Sequence, residues 1–198
     1  ELFTEGPSAG DEGELGRLLD ENGLELGAVG TGAGKVIKGL TLTDPDPGIR
    51  AEARAFISEM IAFGGQFGAP AIIGSMQGSS GDSASRADCL QWLADALEEL
   101  GEQAKNAGTL LIYEPLNRYE TNLFNRFGDS CEFLDGLQTS GVTLLADLFH
   151  MNIEEENSQI IETDIIEKDG LTTYRIDPNT INVYDEYELK LPSKSLFS

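Results

Sequence analysis

Two carboxylates in this chain of 198 residues stand where chemistry is usually done. Glu114 follows the apolar run Leu110–Tyr113, and Asp147 follows Leu144, Leu145 and Ala146. A short apolar run reads as a buried strand. A lone glutamate past a strand end is ordinarily a solvated surface group. Here Pro115, Asn117, Arg118, Glu120 and Asn122 crowd in behind Glu114, and a run this polar directly after a core strand predicts a site. His150 is the only histidine in the chain. A single histidine is more often structural than catalytic, but this one lies three residues beyond Asp147, at the polar end of a strand. Two carboxylates supply hard oxygen ligands and one imidazole lies near them, a set that suits Mn²⁺, Mg²⁺ or Co²⁺. Glu154, Glu155 and Glu156 are expected instead to be a solvated helix start, where acids favour the N-terminal dipole.

The elements that must position these groups alternate. A helix over Asp11–Asn22 carries Leu15, Leu18 and Leu19 on one face and stops at Gly23. A strand is expected over Leu24–Val29 and a flexible loop over Gly30–Lys35. Asp46 is a helix N-cap with Pro47 at the first position, and that helix runs to about Phe67. A strand over Ala71–Gly74, a Gly-rich loop over Ser75–Gly81 and a helix over Ser83–Ala107 follow. Then come a strand at 110–114, a helix at about 129–139 and a strand at 143–147. Strand and helix in repeated alternation imply an α/β fold with a parallel sheet and right-handed crossovers. A doubly wound sheet and a (β/α) barrel share this signature. Charge at the C-terminal ends of buried parallel strands is the pattern of a barrel active site. Glu114 and Asp147 would then face one mouth from neighbouring strands.

Beyond Asn157 the rhythm breaks. Ile160–Ile166, a turn at Lys168–Gly170 and Leu171–Ile176 read as a β-hairpin, and Ile181–Leu191 as a further strand. Residues 158–198 are therefore expected to form an unrelated antiparallel β-rich or disordered tail, and the chain a fragment or chimera.

Composition excludes several functions. Acids outnumber bases 35 to 13, a net charge of −22. That field repels nucleic acid and anionic membranes. No apolar run reaches the roughly 20 residues of a membrane span, and no signal peptide is visible. Cys89 and Cys131 read as reduced, buried thiols of a cytoplasmic protein. The Gly30–Lys35 segment fails as a phosphate loop. A Walker A motif needs Gly where Val29 stands and Ser or Thr where Val36 stands, and the dinucleotide spacing fails as well.

The segments EPLNRYE (114–120) and DLFHMNIE (147–154) together resemble the sugar isomerase/epimerase superfamily of xylose isomerase-like TIM barrels, and most closely its ketose 3-epimerases and hydroxypyruvate isomerases. The segment Gly39–Asp46 is similar to the stretch after that family's third strand. The resemblance covers residues 1–157, from the end of the second strand through the sixth, so the expected fold is an incomplete (β/α) TIM-type barrel. It implies that Glu114 is a metal ligand and one half of an acid/base pair, and that Asp147 is a second ligand. Glu120 and His150 would contact sugar hydroxyls. The implied activity is a metal-dependent isomerase or epimerase that moves a proton through a cis-enediolate on a ketose or related hydroxy-carbonyl sugar. Self-association would cover an incomplete sheet. The family's remaining ligands, a His after the seventh strand and a Glu at the eighth, have no counterpart that can be assigned here. A non-catalytic truncated or degenerate barrel with an incomplete metal site is therefore the alternative. An endonuclease of the same barrel type would need a histidine-rich zinc cluster and a basic groove; one histidine and the acidic charge oppose it.

Overall fold

The structure is a computed structural model. It describes residues 1–6 and 12–155, and beyond them the strand segments Gln159–Ile160, Thr163–Lys168, Leu171–Ile176 and Asn182–Val183. The chain divides into two compact units, Glu1–Glu154 and Glu155–Ser198.

The first unit is a parallel sheet of β1 (Leu2–Phe3), β2 (Val29–Gly30), β3 (Ala71–Ile73), β4 (Leu111–Tyr113) and β5 (Val142–Leu144). Helices α1 (Glu12–Asn22), α2 (Ala33–Lys38), α3 (Pro47–Gln66), α4 (Arg86–Asn106) and α5 (Phe127–Asp135) connect the strands, and α6 (Leu148–Glu154) follows β5. The strands lie side by side in sequence order. A doubly wound sheet reverses its order at a switch point; a barrel does not. The ambiguity left by the alternating elements is thus resolved in favour of a barrel arc.

The helices form where local chemistry directs. Asp46 caps α3 by accepting the Gly48 N–H at 2.7 Å, with Pro47 in the first turn. Ser85 caps α4 through the Asp88 N–H. α3 turns Ala53, Phe56, Ile57, Met60 and Ile61 inward, and α4 meets them with Leu93, Ala96, Leu97 and Leu100. Burial of these side chains, each worth roughly 1.5–3 kcal/mol for the larger ones, holds β3 and β4 in place. Close approach also matters. A Cβ at Gly141, just before β5, would collide with the Gly101 carbonyl of α4.

Several expectations need correction. Of the expected strand over Leu24–Val29 only Val29 pairs, together with Gly30 from the expected loop. The ladder opens at Ala28, whose carbonyl accepts the Leu2 N–H, and residues 24–27 form no strand. The expected loop over Gly30–Lys35 gives way to α2, closed by Gly39 at φ 71°. Gly34 serves packing there: a Cβ would fall 2.6 Å from the Met76 sulfur. The Ser75–Gly81 loop holds a 3-10 turn over Ser75–Gln77. α5 and β5 are shorter than expected, which leaves Asp147 three residues past its strand. Cys89 is buried and Cys131 half-buried, and both are free thiols. No helix among the described residues is long and apolar enough to cross a membrane. Residues 169–170 of the expected turn, and most of the strand expected over 181–191, lie outside the described residues.

Candidate active site at the ends of β4 and β5

Glu114 is the first residue past β4, and its backbone N–H still bonds the Ile73 carbonyl of β3. The ladder therefore fixes its Cα, and the side chain emerges at the C-terminal end of the sheet. Gly74 clears the space: a Cβ there would lie 2.8 Å from Glu114 Oε2. Gln77, fully buried, braces the same strand end. Its amide donates to the carbonyls of Gly74 and Glu114, while its Oε1 accepts the Tyr113 hydroxyl at 2.6 Å.

Asp147 opens α6. Its Oδ1 accepts the Phe149 N–H at 2.8 Å and its carbonyl accepts the Met151 N–H. That cap leaves the other oxygen free to turn toward Glu114. The helix places His150 one turn on, with Nε2 3.6 Å from Asp147 Oδ2 and 3.7 Å from Glu114 Oε1. One ligand atom from each of Glu114, Asp147 and His150 lies within 4.8 Å of the others. Glu120 comes in from the β4–α5 connection, with Oε1 3.8 Å from His150 Nδ1. All four residues picked out in the sequence are thus brought together.

Burial pushes the Glu114 carboxyl up to about 7, and the charge of Asp147 and its hydrogen bond add to the rise, with smaller effects from Glu1 and Glu120. Two converging carboxylates in a half-buried mouth repel one another. A divalent cation offsets that repulsion, and the oxygens of Glu114 and Asp147 match the hard ligands such an ion takes. In this respect the donor set fits a metal.

Glu154 is the residue whose environment the sequence misjudged. It is buried at the end of α6 and does not open a helix. Its Oε1 accepts the Arg118 backbone N–H at 2.5 Å and the Arg118 Nε–H at 3.0 Å, and Arg118 also reaches the Ile153 carbonyl. These bonds tie the β4 loop to α6. Asn117, 2% exposed, ties the same two elements deeper in: its backbone N–H donates to His150 Nδ1 at 3.1 Å. Asn117 and Arg118 stood in the polar run after Glu114, but nothing in the run separated bracing residues from site residues. Gln77 gave no signal at all.

A comparison with known proteins decides the family. The family model described as xylose isomerase-like TIM barrel matches residues 1–185. The chain belongs to that family. Among family relatives, the chain is 28% identical over 155 residues to an L-ribulose 3-epimerase of Mesorhizobium japonicum, covering 75% of this chain and 50% of the relative. It is 39% identical over 74 residues to a D-psicose 3-epimerase of Enterocloster bolteae, covering 37% and 23%. The solved structure of a D-allulose 3-epimerase from Methylomonas sp. superposes with a TM-score of 0.67 at 26% identity, covering 78% of this chain and 54% of that one. A family 2 AP endonuclease from Brucella melitensis superposes at 0.64 with 15% identity, over 77% and 58%, a likeness of fold alone. The chain spans half or less of the length of the first relatives it matches.

Proposed function

We propose that this chain carries half of the active site of a sugar epimerase or isomerase dependent on a divalent metal, and that Glu114 is its proton-transfer group. The observation that carries the reading is the Glu114 carboxyl itself. It is held at a strand end beside Asp147, with an affinity for protons near 7. A base poised near neutrality can both take and return a proton. Glu114 would remove the proton from the carbon next to the ketose carbonyl, giving a cis-enediolate. Its partner on the opposite face would come from outside the residues assigned here. Glu114 and Asp147 would hold Mn²⁺, Mg²⁺ or Co²⁺, which when bound polarises the carbonyl and acidifies the neighbouring C–H. His150 and Glu120 would orient the sugar hydroxyls. The names of the relatives, ketose 3-epimerases among them, support a ketose as substrate. The free cysteines fit a reducing compartment such as the cytoplasm.

The test is exchange of the ketose C3 hydrogen with solvent deuterium across a sugar panel, with Mn²⁺ present. Exchange that falls at least ~100-fold in Glu114→Gln supports the role. Exchange retained by that variant removes it. One observation favours a second reading, a barrel piece that binds sugar without turning it over. The only histidine is already engaged by Asn117, and the potential metal group among the described residues numbers three side chains. Sugar binding with no exchange in the metal-replete chain would select that reading.

The division into a partial barrel over 1–157 and a separate antiparallel β-rich or disordered tail over 158–198 is also a proposal, and limited proteolysis checks it. Early loss of the tail with survival of 1–157 supports the boundary. A tail that survives with the core would join it to the family match that runs to residue 185.

A further inference from the structure

We propose that Asn117 is a positioning residue that fixes the proton of the His150 ring on Nε2, so that this nitrogen faces Glu114 and Asp147 as a hydrogen-bond donor and not as a cation ligand. The ring lies between carboxylates. Glu120 Oε1 is 3.8 Å from Nδ1, and on the other side Glu114 Oε1 and Asp147 Oδ2 are 3.7 and 3.6 Å from Nε2. An imidazole beside one carboxylate usually turns its N–H toward it. With acids on both sides, charge alone does not place the proton.

Asn117 decides the matter with two donors. Its backbone N–H meets His150 Nδ1 at 3.1 Å, and its side-chain Nδ2 meets the same nitrogen at 2.9 Å. A ring nitrogen that accepts a hydrogen bond carries no proton, so in the neutral imidazole the proton is on Nε2. The amide has little freedom to turn over. Its Oδ1 accepts the Tyr119 N–H at 2.9 Å, and Nδ2 also donates to Glu120 Oε1 at 2.8 Å. The amide group thus stands between Glu120 and the ring and occupies both. Asn117 is 2% exposed and His150 8%, so bulk water does not compete for these bonds.

The consequence rests on the function proposed above. To ligate an ion through Nε2, the ring would have to carry its proton on Nδ1 and give up both Asn117 bonds. Among the described residues the cation set is then Glu114 and Asp147, and the Nε2–H is left to donate to a sugar oxygen beside them.

The single histidine makes the test direct, because the side-chain ¹⁵N–¹H spectrum of the untagged full chain reports one ring. In metal-free protein at alkaline pH, the expected result is a protonated Nε2 and an unprotonated Nδ1. A coupling across the hydrogen bond should join Nδ1 to the backbone nitrogen of Asn117. Asn117→Asp keeps the shape of the side chain and the backbone N–H but replaces the second donor with an oxygen, so the Nδ1–H form should gain population over wild type. A wild-type ring protonated at Nδ1 overturns the proposal, and so does a variant whose tautomer ratio is unchanged. If Asn117→Asp does not fold, the wild-type coupling decides: its absence sinks the idea, and its presence with the Nε2–H form supports it. Neither readout involves sugar turnover, so a chain that fails every ketose assay still answers this question.

Discussion

Glu114 and Glu154 are the same residue type and both are withdrawn from solvent, yet their carboxyls are shifted in opposite directions. Glu114 faces Asp147, and burial together with that neighbouring charge raises its carboxyl to about 7. Glu154 faces Arg118, whose hydrogen bonds hold its carboxyl below the usual range. One faces an acid and holds its proton more tightly; the other faces a base and gives its proton up more readily. At Glu114 burial raises the carboxyl and the neighbouring acid adds to it, whereas at Glu154 the hydrogen bonds from Arg118 outweigh burial.

The largest expected effect separates the two by pH. The folded-state value of Glu114 lies above its ordinary 4.5. Its contribution to stability is therefore fully present below about 4.5 and is lost as pH rises through about 7. A shift of this size corresponds to about 3 kcal/mol, on the order-of-magnitude scale of 1.36 kcal/mol per unit. In metal-free protein, Glu114→Gln should raise the urea unfolding free energy at pH 7.5 by about that much and flatten the slope between pH 4.5 and 7. An unchanged slope would mean the carboxyl ionises freely. Glu154 runs the other way: its contribution is present above its ordinary value and lost as pH falls through its lowered folded value. Glu154→Gln should flatten only the acid limb.

Metal binding should divide the pair next. Calorimetry with Mn²⁺ should show weak binding, because two carboxylates leave most of the coordination sphere to water. Glu114→Gln or Asp147→Asn should abolish it, and Glu154→Gln should leave it intact. Tight, stoichiometric binding lost in Asp147→Asn would show that further carboxylates complete the site.

A smaller effect comes from exchanging neighbours. Asp147→Asn removes the charge facing Glu114, so carboxyl ¹³C titration should find Glu114 moved down toward its ordinary value, though still raised by burial. A Glu114 titration that does not move would assign the whole shift to burial. The smallest effect is expected from Arg118→Ala. The arginine is largely exposed and its pair well screened, so the thermal midpoint should fall by only ~3 °C. The Glu154 carboxyl should rise at the same time. A loss of cooperative folding would show instead that this tie supports the whole barrel arc.

The legibility of these residues in the sequence followed one rule. Periodicity and end signals are local, so the α3 cap at Asp46 and Pro47, the long helices α3 and α4, and the strands that precede Glu114 and Asp147 were all readable. Where pairing needs a neighbour, local signals misled: the Leu24–Val29 run is apolar enough for a strand, but of its residues only Val29 joins the sheet among the described residues. The charge triplet at 154–156 looked solvated because Arg118, thirty-six residues away in sequence, leaves no local trace of its bond to Glu154.

The sequence by itself singled out Glu114, Glu120, Asp147 and His150 as the candidate site residues, and the fold brings them together. The polar run behind Glu114 and the histidine behind Asp147 marked them out from ordinary strand-end carboxylates, and the motifs around them identified the superfamily. Only the tertiary structure decided what each polar group does. It set Glu114 against an acid and Glu154 against a base, and it placed Asn117 between Glu120 and His150. The sequence sorted these groups by type and spacing along the chain, whereas their protonation depends on distances across it. Those distances are set when α6 packs beside the end of β4, and they set the charges at the mouth of the sheet.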